Sequence, residues 1–465
     1  MMTLPEAVAY LDRWTNYERA HDADAMRGVR LERMRRLCEQ LGNPQQRFRS
    51  ILVGGTNSKG SVCSMIYEIL RAAGLRVGLY ISPHLQDPRE RIRSTSELPE
   101  QASGDKPWQD WIHADTFVQC VEQIHDVLES DTWPDGPPTY FELLTAVAFL
   151  YFARQRVEIA VLEVGLGGRL DATNVVEPVV SVLGPIGLDH TDVLGDNVKS
   201  IAKEKLGIIR PGRVLVSAQQ DGEVQELIRG VTTAQNCRLV EYGDGLLADI
   251  LAHSMDGMRL SIRTPRGRYE SLSLPLLGRH QAENASLAVA AVESLTPDGM
   301  PHESVHHGLA RMSWPGRLEV IQRRPIVVLD GAHNPQAAEA LRKTLEDLWP
   351  KAVKRIVIGV SADKDPRELG KILGPIAESI VCTQSQHPRA CDAQRLAEQL
   401  APCGRPITVI SDPIDAYTYV LNTASRDDVI VVMGSFFLVG ELKTALRYAQ
   451  DNRERSRARK SQLVS

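Results

Sequence analysis

Short β-branched runs alternate with amphipathic stretches along most of this chain, and that alternation predicts a parallel α/β architecture. "SILVGGT" at 50–56 reads as a strand running into a glycine turn. "KGSVCSMIYEILRAAG" reads as a helix stopped by Gly74, and "LRVGLYIS" as the next strand. The order repeats with "YFELLTAVAFLYFARQR" as helix, then "VEIAVLEVG" and "EPVVSVLGPIG" as strands. Between 237 and 277 the pattern shifts to short alternating runs such as "MRLSIRT" and "RYESLSL". These predict a small antiparallel patch before the helix "QAENASLAVAAVESL". A second α/β series follows "SWPGRLE", with strands "PIVVLDG", "KRIVIGVSA", "ESIVCT", "PITVIS" and "DVIVVMGS".

The pattern therefore divides into a P-loop-type parallel-sheet domain at 1–313 and a Rossmann-like α/β domain at 314–447. Segment 94–114 is polar and irregular and is expected to be a surface insertion. The basic end at 448–465 is expected to be a solvated, disordered tail.

Composition narrows the class. With 465 residues, 43% apolar and a net charge of −5, two soluble domains are expected and a polyanion-binding surface is not. An odd count of seven cysteines without a C-x-x-C pair points to reduced thiols and away from a disulfide framework or structural zinc. The N-terminus "MMTLPEAVAYLDRW" carries acids and lacks the apolar core of a signal peptide. The apolar run "FELLTAVAFLYFA" contains Glu142 and falls short of the ~20 residues that span a bilayer. A cytoplasmic location, with neither nucleic acid nor membrane as partner, is the expectation.

"ILVGGTNSKGSVCSMIYEIL" carries the first chemistry. A glycine turn after a strand, running directly into a helix, aims backbone N–H groups and the positive helix end at one point, which makes an anion site. Lys59 adds a mobile charge, and the Ser61 hydroxyl suits a metal ion bridging phosphates. In the common phosphate loop, however, Ser or Thr follows Lys directly, whereas here Gly60 intervenes and Ser58 replaces the usual glycine. Glu163 ends an apolar strand, from which a carboxylate can reach a crevice at the sheet edge, although such acids are as often merely solvated. The adjoining "GLGGRLDATN" has the tight turns and polar residues of a ligand loop. In "IGLDHTDVLG", His190 is open to reading as a metal ligand, a base or a plain loop histidine. In "IAKEKLGII" the lysines sit among apolar residues, where an amine tends toward neutrality and can add carbon dioxide to become a carbamate. Spacing does not select Lys205 over Lys203.

"GGTNSKGS", "SPHL", "TYFELLTA", "EVGLGGRLDATN", "IGLDHTDVLG", "IAKEKLGII", "GRHQAENASLAVAA", "WPGRLE" and "LDGAHNP" occur in that order. Together they closely resemble the folylpolyglutamate synthase/dihydrofolate synthase family within the Mur-type ligases, from about residue 10 to about 445. The glycine between Lys and Ser is characteristic of that family, and Ser58 is a departure from it. The resemblance implies ATP-dependent joining of L-glutamate to a pteroyl carboxylate, dihydropteroate or a reduced folate, through an acyl phosphate by a monomeric enzyme. It implies ATP contacts from Thr56, Asn57, Ser58, Lys59, Gly60, Ser61 and Asn284, and from Arg317, Asp330 and His333 in the second domain. Two Mg²⁺ ions would be held by Ser61, Ser82, Glu163, His190 and a carbamylated Lys205, with Lys59, Glu163, His190 and Lys205 as the catalytic set. The pteroyl substrate would meet Val29, Arg30, Leu31 and Glu32, then Thr139, Tyr140, Phe141 and Glu142, and Leu170, Asp171 and Ala172. Taken singly, Asp330 could be a strand-end acid, Arg317 a surface cation and Asn334-Pro335 an ordinary helix start. Three rivals compete: a UDP-muramoyl amino-acid ligase, a P-loop kinase or ATPase, and a non-catalytic nucleotide-binding module. The last two leave "WPGRLE", "LDGAHNP" or the metal-binding residue types unexplained.

Overall fold

The structure, a computed structural model, describes residues 2–19, 30–95, 110–130, 132–134, 136–296 and 299–447. The chain divides into two units, Met1–Trp314 and Pro315–Ser465, one residue beyond the boundary read from the sequence. The first unit is built on ten strands: β1 (Arg49–Gly54), β2 (Val77–Tyr80), β3 (Ile92–Ser94), β4 (Ile159–Glu163), β5 (Val180–Leu183), β6 (Val214–Ser217), β7 (Arg238–Tyr242), β8 (Gly245–Ser254), β9 (Gly257–Thr264) and β10 (Gly267–Leu274). Their order is β10-β9-β8-β7-β6-β5-β1-β4-β2-β3. β1 lies at the centre of the parallel part, between β4 and β5.

Both faces of that central region are buried, and successive residues feed different cores. Ile51 and Val53 of β1, with Ile159 and Val161 of β4, pack into one cluster. Leu52, Ala160 and Leu162 point into the other. Strands covered on both sides read as continuous apolar runs, as "SILVG" and "IAVL" do. Helices α1 (Leu4–Asp12), α2 (Leu31–Gln40), α4 (Ala114–Ser130) and α5 (Tyr140–Arg154) cover one face. Helix α3 (Lys59–Ala72), together with α7 (His280–Glu293) and α8 (His302–Ala310), covers the other. Helix α6 (Val198–Leu206) supports the loops at the strand ends. The apolar run of "FELLTAVAFLYFA" is α5, a helix buried almost all round. Among the described residues no helix is long and apolar enough to cross a membrane.

Two expectations need correction. Within 237–277, β7 is parallel to β6 and only β8, β9 and β10 form the antiparallel meander. That meander, the expected antiparallel patch, continues the main sheet through β7. Alternation reports burial on one face and carries no information on strand direction. The insertion is also narrower than 94–114. Ser94 is in β3, Ile112 is 1% exposed in the core, and Asp110 accepts a hydrogen bond from Tyr67 Oη at 3.2 Å. Only 96–109 of it, like the tail at 448–465, lies outside the described residues.

The second unit carries β11 (Glu319–Arg323), β12 (Ile326–Asp330), β13 (Lys354–Ile358), β14 (Ala377–Cys382), β15 (Ile407–Val409) and β16 (Val429–Met433). Their order is β11-β12-β16-β13-β14-β15, and all are parallel except β11. Helix α9 (Pro335–Leu348) follows β12 and is capped by Asn334, whose side chain accepts from Ala337 N. All seven cysteines are free thiols.

Phe152 is fully buried, with its ring against Phe48 at 5.8 Å in an edge-on pair. Phe152→Ala is expected to destabilise the first unit by about 3–5 kcal/mol. The measurement is its urea unfolding midpoint.

Candidate active site

The chain leaves β1 at Gly54 and enters α3 at Lys59, so the intervening turn sits at the carboxyl edge of the central strand. Thr56 braces it: its N–H donates to Pro185 O at 2.9 Å, and its hydroxyl donates to Gly187 O at 3.0 Å. Lys59 folds back over the turn, with Nζ donating to Gly55 O and Thr56 O, both at 3.1 Å. From α6, Lys205 Nζ donates to the same Gly55 O at 2.9 Å. Lys205 is 5% exposed, and burial, with Lys59 nearby, lowers its pKa to about 7. Lys203 is exposed. Tertiary structure thus separates two lysines that spacing could not.

These groups open on a small cleft lined by Gly55, Thr56, Lys59, Val164 to Gly167, Asp189, His190, Leu194 and Lys205. His190 has φ 49° and precedes a helical turn, Thr191–Leu194. Its N–H donates to Asp189 Oδ1 at 3.0 Å, and its Nε2 lies 4.0 Å from Asp189 Oδ2. Asp189 was quoted in the sequence motif without a role, and its place beside His190 on the cleft wall is the signal that was missed. Glu163, at the end of β4, is 6% exposed, and its Oε2 accepts from Ser82 N at 2.9 Å. The neighbouring hydroxyl residue Ser61 is also buried.

Gly60 now has a physical reason. A Cβ there would lie 2.8 Å from Trp314 Cζ2 and 3.3 Å from Glu163 Oε2. No side chain fits between Lys59 and Ser61 while the carboxylate and the indole keep their places. Ser58 takes up the left-handed conformation, φ 71°, that a glycine would adopt more readily.

The "GLGGRLDATN" loop uses most of its polar groups on itself. Asp171 Oδ1 accepts from Thr173 N at 3.0 Å, and Oδ2 accepts from Leu166 N at 2.9 Å. Burial raises the Asp171 pKa. Asn174 Nδ2 donates to Arg169 O and Gly207 O, and Arg169 pairs with Glu204 at 2.9 Å. A Cβ on Gly168 would stand 3.0 Å from Lys205 Cα, so the loop lies flat on α6 and holds that lysine at the cleft.

The residues expected to meet the pteroyl group divide. Thr139 and Glu142 form a reciprocal capping box at the start of α5, Thr139 N donating to Glu142 Oε2 at 2.7 Å. Arg33 Nε also donates to Glu142, at 3.3 Å, inside the protein. Tyr140 is buried beneath the Arg91 guanidinium, and Phe141 lies against Gly165 of the cleft wall. Glu32 is exposed and paired with Arg35, Leu31 is buried, and Arg30 is the exposed residue preceding α2. Leu170 is half-buried and Ala172 buried, while Val29 lies outside the described residues. Asn284 is 1% exposed within α7, its amide donating to Gln281 Oε1 at 2.9 Å, and it does not line the cleft.

In the second unit two of the expected residues meet one ring, and a third lies at the end of β12. Arg317 stands over Phe436 at 4.2 Å, and His333 meets that ring edge-on at 6.3 Å. Asp330, buried at the end of β12, accepts from Leu318 N and Ala332 N, both at 2.7 Å. Burial raises its pKa, and Arg317 opposes the shift.

Among the described residues no three His, Cys, Asp or Glu side chains converge as a metal cluster. Glu163, Ser61 and Ser82 are hard oxygen donors, few in number, and Mg²⁺ takes few protein ligands when water and phosphate complete its shell.

Ser58→Gly is expected to relieve about 1 kcal/mol of left-handed backbone strain. The corresponding rise in Tm is about 1–3 °C by calorimetry.

Residues 118–292 match the Mur ligase middle domain, and 316–436 match the Mur ligase glutamate ligase domain. The dihydrofolate synthase/folylpolyglutamate synthase of Bacillus subtilis is 33% identical over 90% of this chain and 95% of its own length. A Mycobacterium tuberculosis folylpolyglutamate synthase structure, complexed with ADP and AMPPCP, superposes with a TM-score of 0.84. It is 31% identical and covers 95% of this chain and 98% of the other. Escherichia coli FolC in complex with DHPP and ADP gives 0.83, at 28% identity over 97% and 99% of the two chains. The chain belongs to the folylpolyglutamate synthase/dihydrofolate synthase family of Mur-type, ATP-dependent glutamate ligases.

Proposed function

We propose that the cleft binds the phosphates of ATP, and that the enzyme joins L-glutamate to the carboxylate of dihydropteroate, a tetrahydrofolate or both. The observation that carries this reading is the turn after β1, where Lys59 and Lys205 converge on Gly55 O at the N-terminus of α3. Two amines held together at a cleft, one of them buried, favour a polyanion, and the helix end adds N–H donors.

In the proposed reaction an acceptor carboxylate oxygen attacks the γ-phosphorus, the bond to ADP breaks, and an acyl phosphate forms. The glutamate amine then attacks the acyl carbon and phosphate leaves. Two anions must approach in the first step, and Lys59 offsets part of their repulsion. The chemistry needs no nucleophilic side chain. Positioning in this reading comes from Thr56, which braces the turn, from Asp171, which knits the loop together, from Asn174, which ties it to the end of α6, and from Phe141 on the wall. Arg317, Asp330 and His333 are assigned to nucleotide contact, as is Asn284. The pteroyl group is assigned to the stretches at 29–32, 139–142 and 170–172, with Thr139 and Glu142 acting through the fold.

The reading includes two Mg²⁺ ions, for which Ser61, Ser82, Glu163, His190 and a carbamate on Lys205 are the assigned donors. When bound, Mg²⁺ neutralises phosphate charge and polarises the transferred group. The Lys205 environment fits carbamylation. An amine with a pKa of about 7 has a large neutral, nucleophilic fraction near neutrality. Once carbamylated, its remaining N–H can still donate to Gly55 O, and its charge attracts Lys59 where the ammonium repels it. The reading also includes a monomer located in the cytoplasm.

ADP release with glutamate is expected to require dihydropteroate or tetrahydrofolate, and no stimulation by either acceptor would refute the assignment. Lys205→Ala is expected to lower kcat by about 10²-fold or more. In ¹³C-bicarbonate, a carbamate resonance should grow as pH rises through about 7 and be absent from Lys205→Ala. The folded-state pKa of unmodified Lys205 lies below the unfolded value, so the unfolded chain holds the extra proton between about 7 and 10.5. In bicarbonate-free buffer this group's contribution to stability should therefore rise with pH through that window. Lys205→Met should flatten the rise in Tm.

A further inference from the structure

Trp314 ends the first unit, and its indole reaches the phosphate turn. It packs at the edge of the core that backs α3, partly buried. Its atom nearest the turn is Cζ2, 2.8 Å from where a Gly60 Cβ would stand. The same notch is closed on another side by Glu163 Oε2, at 3.3 Å. One ring therefore touches the backbone between Lys59 and Ser61, beside the carboxylate that Ser82 N–H holds.

Plain core filling does not account for the residue type. The indole Nε1 is buried and, among the described residues, has no hydrogen-bond partner. Leaving such a donor unsatisfied costs about 1–3 kcal/mol. Phe would avoid that cost, yet Cζ2 belongs to the fused six-membered ring, which Phe lacks. The long reach of the indole into the Gly60 notch is what Trp supplies.

We propose that Trp314 is a positioning residue for the phosphate turn: its indole seats in the notch left by Gly60 and holds Lys59, Ser61 and Glu163 in register for the nucleotide. Glycine at 60 and tryptophan at 314 then form one matched pair. An Ala methyl at 60 displaces the ring or the turn, and Phe at 314 vacates the space that methyl needs.

The inference rests on the proposed nucleotide role of the cleft, and a double-mutant cycle on the full chain tests it. ADP affinity by calorimetry, kcat and KM for ATP, and Tm are measured for wild type, G60A, W314F and G60A/W314F. Contacting residues couple where distant ones add. G60A is expected to weaken ADP binding by about tenfold or more, and W314F by about threefold, with Tm of W314F within a few degrees of wild type. G60A/W314F is expected to bind ADP at least about fivefold better than the product of the single effects. The recovery should appear in KM for ATP and, through Glu163, in kcat. A double mutant equal to the product of its singles would overturn the proposal. Recovery of Tm without recovery of ADP affinity would overturn it too, by showing a packing role alone. Coupled ADP binding without glutamate ligation by the wild type would sustain Trp314 and sink the assigned reaction instead.

Discussion

The site is organised around one crowded carbonyl. Gly55 O accepts from the half-buried Lys59 and from the buried Lys205 at the same time, which holds two amines together. Their mutual repulsion adds to burial in bringing Lys205 to about 7. Anionic oxygen placed beside two such amines would relieve that repulsion. The neighbouring features keep the two amines from separating: Thr56 pins the turn, and the glycine loop presses α6 close enough to bring Lys205 in.

The sheet makes this arrangement possible. β1 is central and its residues are buried alternately on both faces, so the strand cannot slide without exposing one core. Its carboxyl end, that of β4 and the loop after β5 consequently present the phosphate turn, Glu163 and His190 along one edge. Helix α3 is anchored by apolar residues along its length, which leaves its first turn free to carry polar chemistry.

Several residues divide differently once the fold is known. "TYFE" served the sequence argument as a substrate motif, yet Thr139 and Glu142 are a capping box reinforced by Arg33. The T-x-x-E spacing at a helix start was the available signal for that role. Asp171 and Asn174 also spend hydrogen bonds on holding their own loop. Asp189 and Trp314 stood in quoted motifs without a part to play, because neither spacing nor residue type says which wall a side chain will join.

Sequence by itself determined the α/β alternation, the two-unit division, the glycine turn between β1 and α3 and, through ordered motifs, the ligase family. Those follow from local periodicity and from residue types that chemistry demands at short spacing. Only tertiary structure decided that Lys205 is the buried lysine, that the antiparallel strands extend the main sheet, and that Gly60 is required by an indole more than 250 residues further along the chain. Burial and close contact between distant segments set those outcomes, and neither leaves a mark in any local stretch. The glycine after Lys59 was legible as a family signature, while the crowding of Trp314 and Glu163 around it is a contact that only folding creates.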